Sequence, residues 1–245
     1  MNDTLPNGFF LFKFVRKEHL EDFLSGNIYM PLSKYFIELE ENQVNKGVGD
    51  KYEGSYISNV DPKTNKFEIE IEPGKFAPLN FTKAFHSYRY KGIENIPITC
   101  FTMIHTEDLE EVEKDIFAIK ENVIQDLKQS GIFENRKAIF IDTKPFIDKF
   151  TTIINNTYSY KCASVKYFNT YQENNINKNH YDKNPFEALF YKRDIFASQR
   201  EYRIILRHNF EEPPTIKIGD IRDICRVFDA STLRETFKIE RVNKE

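Results

Sequence analysis

The chain has 245 residues, of which 40% are hydrophobic and 30% charged, and its net charge is -3. This length can bury a substantial core and corresponds to one large domain or two small ones. The slight negative charge excludes a global basic field for non-specific nucleic-acid binding, although a local basic face is compatible with it. No apolar run is long enough to cross a bilayer, and the N-terminus does not resemble a signal peptide, so we expect a soluble cytosolic protein.

The N-terminal part predicts a strand, a short helix and a second strand in close succession. Residues 9–15 are an aromatic, apolar run interrupted only by Lys13, which is typical of a buried strand. Residues 17–24 have helical spacing and end before Gly26, and residues 28–30 form the second strand. Residues 33–59 are polar and contain several glycines. We expect a loop there, either an ordinary surface connection or one whose backbone approaches a ligand closely.

The middle of the chain mixes strands and helices without strict alternation. Residues 67–72 alternate between apolar residues and glutamate, which predicts a half-exposed strand with solvated glutamates. Residues 97–103 predict a central strand, whereas residues 116–119 fit either a strand or the continuation of a helix. The fold class we expect is therefore α+β, in a single compact domain spanning residues 1–245, with a mixed or antiparallel sheet and short peripheral helices.

Later segments complete this prediction. A helix ends near Gly131, and a strand at 138–141, a second helical face around 146–150 and a strand at 161–168 follow. The asparagine-rich residues 169–184 predict a mobile loop or lid. A helical turn near 186–192, a strand at 201–206 and two short final strands come next. Cys100, Cys162 and Cys225 lie in or beside apolar stretches and are interpreted as buried, reduced thiols.

The most informative motif is Gln199-x-Glu201 at the start of the strand at 201–206. Alternation places Glu201 and Arg203 on one face of that strand and Tyr202, Ile204 and Leu206 on the other. A glutamate in such a place can hold a ribose hydroxyl and stabilise an oxocarbenium-like centre, while the Gln199 amide orients a nucleophile. The alternative is an exposed ion pair of Glu201 with Arg203, which contributes little stability.

Several short motifs along the chain resemble the bacterial and phage family called domain of unknown function 2971. In this sequence Gly49-Asp50-Lys51-Tyr52-Glu53 stands where that family commonly has Phe-Asn-Asp-Pro-Phe-Glu, and the tryptophan often found after the Cys-Phe strand is absent. The motifs that carry the resemblance, in chain order, are Phe12-Lys13-Phe14, His19-Leu20 with Gly26-Asn27-Ile28-Tyr29-Met30, Asp50 to Gly54, Thr99-Cys100-Phe101-Thr102, and Glu201-Tyr202-Arg203-Ile204.

The order of these parts is similar to that of ADP-ribosyltransferases, which split NAD and transfer ADP-ribose to a protein, a nucleic acid or a small molecule. The resemblance implies that Glu201 is the catalytic glutamate and that Gln199 orients the acceptor. It implies further that Lys13 contacts NAD and that Tyr29 or Tyr35 stacks on nicotinamide. Such a protein could act as an effector in phage defence or phage-host conflict. An analogy of element order does not by itself establish function.

Two rival functions are compatible with the same residues. One is a non-catalytic module that binds a nucleotide, an RNA end or a protein in the same groove, with Arg203 among the residues that contact phosphates. The other is a nuclease-like enzyme with a metal held by Asp50, Glu53 and Glu201. The transferase hypothesis requires Lys13, the loop at 47–54 and Glu201 to face one cleft; His86 is the next candidate ligand contact. The basic cluster of the binding hypothesis consists of Lys192, Arg193, Arg200, Arg203, Arg207 and His208.

Overall fold

A computed structural model describes residues 8–42 and 49–242, and its fold class is α+β, as the sequence predicted. Most of the strand pairs are antiparallel, and the helices are short. The longest α-helix among the described residues is Thr143–Ile154. Within these ranges, no helix combines the length and the apolar character needed to cross a membrane.

Strands and short α-helices alternate irregularly along the chain, and 3-10 turns join several of them. The strands are β1 (Phe9–Arg16), β2 (Asn27–Tyr29), β3 (Tyr56–Val60), β4 (Phe67–Glu72), β5 (Lys75–Leu79), β6 (Ala84–Tyr88), β7 (Ile98–His105), β8 (Leu109–Glu113), β9 (Ile116–Ile119), β10 (Arg136–Ile141), β11 (Tyr160–Ser164), β12 (Lys166–Phe168), β13 (Tyr191–Arg193), β14 (Glu201–Leu206), β15 (Thr215–Lys217), β16 (Cys225–Asp229) and β17 (Ile239–Glu240). The α-helices are α1 (Leu20–Leu24), α2 (Ser33–Glu41), α3 (Glu121–Gln129), α4 (Thr143–Ile154), α5 (Lys178–Lys183) and α6 (Leu233–Thr236).

A six-stranded antiparallel sheet forms the centre of the fold, in the order β11-β14-β7-β1-β10-β16. Its two middle strands, β7 and β1, pair over only half their length, from Phe9 opposite His105 to Phe12 opposite Thr102. Beyond that point β1 continues to pair with β10, and β7 continues to pair with β14. The sheet therefore consists of two three-stranded halves that separate after Phe12.

Both faces of this sheet are covered, and the alternation of side chains decides which residue lies on which face. On one face, Leu11, Ile139 and Ile204 pack with residues of α4, among them Phe146 and Phe150. The opposite face carries two further clusters. The first joins Phe12 and Phe14 to Val123, Ile124 and Leu127 of α3, and the second joins Ile98 and Ile205 to Leu189 and Phe190.

Two segments predicted as loops are largely regular structure, and these predictions are wrong. Residues 33–59 contain α2 and most of β3, although positions 43–48, including Gly47, lie outside the described residues. Residues 169–184 contain α5 and are held against β3, where the buried Asn175 side chain accepts from Ile57 N at 2.9 Å and donates to Ser55 O at 2.7 Å. Asparagine here replaces ladder hydrogen bonds, so its abundance indicates anchoring rather than mobility.

Candidate functional site

Glu201 opens β14 and lies on a buried face of the central sheet. It is opposite Thr102 of β7, which in turn is opposite Phe12 at the point where the two halves of the sheet separate. Its Oε1 accepts a hydrogen bond from Lys192 Nζ at 2.7 Å, and its Oε2 accepts from Arg203 Nε at 2.6 Å. The same-face pair of Glu201 and Arg203 thus forms as alternation predicted, but it is buried rather than exposed.

Arg203 connects this pair to the loop before β3. Its side chain is completely buried, and its guanidinium donates to both oxygens of Glu53, at 2.6 and 3.0 Å. It also donates to Leu189 O at 2.5 Å. The Lys192 ammonium, likewise buried, donates to Gln199 Oε1 at 2.6 Å. We call Glu53, Lys192, Gln199, Glu201 and Arg203 the buried polar network.

The charges in this network balance, since two carboxylates face one guanidinium and one ammonium. Burial alone would raise the pKa of Glu201, but the adjacent Arg203 and Lys192 charges lower it to about 2. Burial alone would lower the pKa of Arg203, but Glu201 and Glu53 raise it well above its usual value. Glu201 is therefore an ionised carboxylate at neutral pH. It can accept a hydrogen bond or stabilise a neighbouring cation, but it is not suited to donate a proton.

Glu201 also lines a cavity of about 480 Å³ at the end of the sheet. Tyr167 stands beside it, and the Tyr167 hydroxyl accepts a hydrogen bond from Glu201 N at 2.8 Å. For the O–H of Tyr167 itself, the described part of the chain offers no acceptor, so this group can donate into the cavity. Burial, reinforced by the Glu201 charge, raises the pKa of Tyr167 and keeps it protonated. The complete lining is Met103, His105, Asp126, Val165, Tyr167, Ala197, Ser198, Arg200 and Glu201.

Arg200 forms a strained part of this lining. It has φ +50° and ψ +48°, a left-handed conformation that is unfavourable for a residue with a Cβ. Its guanidinium donates to Asp108 Oδ2 at 2.8 Å, and Asp108 also accepts from His105 N at 2.9 Å. Its carbonyl accepts from Met103 N at 2.7 Å. These contacts hold the turn that brings Glu201 to the start of β14.

Lys13 is not among the residues that line this cavity. The strand register places its side chain on the sheet face of Leu11, whereas Glu201 is on the face of Phe12. The Lys13 ammonium donates to Thr99 Oγ1 at 3.1 Å and Cys100 O at 2.7 Å, in the part of β7 that no longer pairs with β1. Burial lowers the pKa of Lys13. The structure does not give Lys13 and Glu201 the common cleft that the transferase hypothesis required.

The two tyrosines predicted to stack on nicotinamide are also outside the cavity lining. Tyr29 is 57% exposed on β2, and Tyr35 is 49% exposed on α2. Gln199 and Arg203, by contrast, lie beside Glu201, but their side chains bond within the buried polar network. His86 is exposed on β6, where its ring lies 6.1 Å from that of Tyr56. Among the predicted site residues, the structure therefore brings together Gln199, Glu201 and Arg203.

The predicted basic cluster does not form a single patch, because carboxylates neutralise most of its members. Lys192 and Arg203 are inside the buried polar network, and Arg207 bonds Glu187 at 3.1 Å. Arg193 bonds Asp50 at 3.1 Å and also contacts Glu40. A strand alternates its residues between faces, so basic residues close in sequence separate in space. This prediction from the sequence is wrong.

The structure also contradicts a metal centre built from Asp50, Glu53 and Glu201. Arg203 lies between the carboxylates of Glu53 and Glu201, and Asp50 is paired with Arg193. In the described residues no group of three or more His, Cys, Asp or Glu side chains is placed to hold a metal ion. Cations already occupy the positions next to these oxygens.

Sequence reasoning missed Tyr167 as a site residue. It lies on β12, a strand that pairs with β13 rather than with the central sheet, so neither alternation nor spacing from Glu201 indicates the contact. Comparison with known proteins adds no further residue. No family model, no curated protein and no solved structure matches this chain. The resemblances to domain of unknown function 2971 and to ADP-ribosyltransferases stay predictions.

Proposed function

We propose that the protein is an NAD-consuming enzyme similar to ADP-ribosyltransferases, with the cavity beside Glu201 as its active site. The observation that carries the proposal is that Glu201, the glutamate selected from sequence, lines a cavity as an ionised carboxylate. Such a group is suited to stabilise the positive charge that develops at the anomeric carbon of a ribose. The cavity is large enough for the nicotinamide riboside portion of NAD, within the usual size range of ligand pockets.

In this proposal each neighbour of Glu201 has a separate role. Lys192 and Arg203 fix the carboxylate in one orientation, so that it loses no freedom on binding. Glu201 accepts a hydrogen bond from the 2'-hydroxyl of the ribose, and Tyr167 donates from its hydroxyl to an oxygen of the substrate. The bond between nicotinamide and ribose breaks, its electron pair leaves with nicotinamide, and an acceptor nucleophile then forms the new bond to the ribose.

The geometry removes two residues from the proposed roles. Lys13, on the opposite face of the sheet, does not contact the substrate in this cavity. Gln199 contacts Lys192, so we assign it to positioning the network rather than to orienting the acceptor. A role in phage defence and a cytosolic location are proposals that rest on the sequence alone. The acceptor class, whether protein, nucleic acid or small molecule, is part of the same experiment.

The test is incubation of the purified protein with NAD labelled in the adenine part, with release of nicotinamide and transfer of label measured together. Glu201→Gln should lose nicotinamide release, and Tyr167→Phe should reduce it. Because Glu201 belongs to the buried polar network, Glu53→Gln is the matched control. It disturbs the same network from a position outside the cavity lining. All variants are assayed at a temperature at which circular dichroism shows them folded.

The control decides what a loss of activity means. If Glu201→Gln and Glu53→Gln lose release equally while folded, Glu201 is a structural residue and the catalytic role is wrong. Release by Glu201→Gln at the parent rate would also contradict the proposal.

One observation favours a second function, namely a non-catalytic nucleotide-binding module in the same cavity. Both carboxylate oxygens of Glu201 already accept charged hydrogen bonds, which is typical of a structural ion pair. Calorimetry with NAD and with ADP-ribose separates the two functions. Binding of both ligands without nicotinamide release would support the module, whereas release would support the enzyme.

A further inference from the structure

Three aromatic side chains from three separate segments form a continuous row on the protein. Tyr52 and Phe85 have ring centroids 5.3 Å apart, and Phe85 and Tyr171 have ring centroids 5.6 Å apart. We call these three residues the aromatic row. Tyr171, at one end, is 48% exposed, and Tyr52 and Phe85 are partly buried. Their aromatic neighbours leave part of each ring open to a ligand.

Local hydrogen bonds fix each member of the row. Tyr52 follows Asp50, whose Oδ1 accepts from Tyr52 N at 3.1 Å. Phe85 belongs to β6 and is opposite Asn59 of β3. Tyr171 follows Asn169, whose Oδ1 accepts from Tyr171 N at 3.0 Å. The row is therefore a preformed feature of the fold, and binding to it requires little ordering.

A lysine ammonium lies over each end of the row. Lys51 Nζ is 5.2 Å from the centroid of the Tyr52 ring, and Lys83 Nζ is 5.7 Å from that of Tyr171. Both lysines are exposed, and neither ammonium forms a salt bridge with a carboxylate within residues 8–42 and 49–242. The fold thus presents two unneutralised cations around three aromatic rings, on a chain whose other basic residues are largely paired.

We infer that the aromatic row and its two lysines bind single-stranded nucleic acid. Unpaired bases stack on aromatic side chains whatever their sequence, and nearby lysines contact the phosphates. A folded protein partner would favour a larger and more apolar surface without two free ammonium groups. This inference goes beyond the proposed function and stands without it, because the row lies outside the cavity at Glu201. The two regions connect through Arg193, whose guanidinium lies 5.1 Å from the rings of both Tyr52 and Phe196.

The experiment measures fluorescence anisotropy of labelled single-stranded RNA and DNA of about 12 nucleotides, a length within the usual site sizes. No NAD is present, so failure of the proposed enzyme does not affect the result. Tyr171→Ala should weaken binding at least about fivefold, the lower end of what loss of one stacking ring causes. The double variant Lys51→Gln, Lys83→Gln should weaken binding and make the salt dependence shallower by about one unit of slope.

Matched controls come from exposed residues elsewhere. Phe76→Ala removes an exposed ring from β5, and Lys217→Gln removes an exposed ammonium from β15, so neither should change binding. Circular dichroism checks that each variant is folded. Parent-like binding by Tyr171→Ala would overturn the inference, as would equal losses in Phe76→Ala or no binding at low salt. Equal affinity for a duplex of the same length would show that phosphates alone are recognised and would overturn stacking on the row.

Discussion

Strands β14 and β4 have similar sequences but opposite environments. β14 begins Glu201-Tyr-Arg-Ile, β4 reads Phe67-Glu-Ile-Glu-Ile-Glu, and both alternate charged with apolar or aromatic residues. In β14 the charged residues are buried among counter-charges. In β4 every residue is exposed, including Phe67, Ile69 and Ile71. Alternation assigns residues to faces, but it does not say whether either face is covered.

The difference comes from what packs against each strand. β14 lies between β11 and β7 in a sheet covered on both faces, so even its charged face must find partners inside the protein. β4 pairs with β5 in a two-stranded sheet whose residues are almost all exposed. The prediction that β4 would be half-exposed is therefore wrong on its apolar face, although its glutamates are solvated as expected.

The largest expected effect is that of removing Arg203. Arg203→Ala leaves Glu53 and Glu201 buried without their shared cation, so the free energy of unfolding should fall by about 3–5 kcal/mol. Urea denaturation monitored by circular dichroism measures this. Arg222→Ala is the matched control, since Arg222 bonds two carboxylates at an exposed site and should cost at most about 1 kcal/mol. Equal losses in the two variants would contradict the importance of burial.

The next effect concerns pH. The pKa of Glu201 is lowered from 4.5 to about 2 in the folded state, so its stabilising contribution is complete above pH 4.5 and is lost as the pH falls towards 2. The shift corresponds to roughly 3 kcal/mol at most. The difference in unfolding free energy between parent and Glu201→Gln should therefore shrink between pH 5 and pH 3. A difference that stays constant over that range would contradict the assigned ionisation.

A smaller effect is expected at Gly54, next to Glu53. Gly54 has φ +68°, and an added Cβ would lie 2.3 Å from Ile93 Cγ2. Gly54→Ala should cost about 2 kcal/mol through backbone strain and overpacking, measured by urea denaturation. Gly74→Ala separates the two causes, because Gly74 has φ +76° with open space around it. If both variants lose the same stability, the close approach to Ile93 contributes nothing.

The smallest effect is expected in the exposed strand β4. Ile69→Thr on β4 should change the unfolding free energy by less than about 0.5 kcal/mol, because that side chain is exposed. Ile204→Thr makes the same substitution in the core of β14 and should cost about 2 kcal/mol or more. Thermal denaturation compares the two variants directly. A large loss in Ile69→Thr would mean that the apolar face of β4 is covered in solution.

The sequence alone determined most elements of the central sheet. The apolar runs that became β1, β7, β10 and β14, and the helical spacing that became α3 and α4, depend on local periodicity, which acts over a few residues. The same alternation correctly paired Glu201 with Arg203 on one face. Helix α2 was missed because its segment was interpreted from its polar composition and from the glycines that follow.

Only the tertiary structure decided the surroundings of those elements. Glu53 bonds to Arg203, 150 residues away, and the Tyr167 hydroxyl accepts from the backbone of Glu201, 34 residues away. Lys13, which the family analogy joined to Glu201, lies on the opposite face because each strand alternates and the sheet is one layer thick. Burial and long-range pairing depend on what the whole chain places against a strand, and no local pattern contains that information.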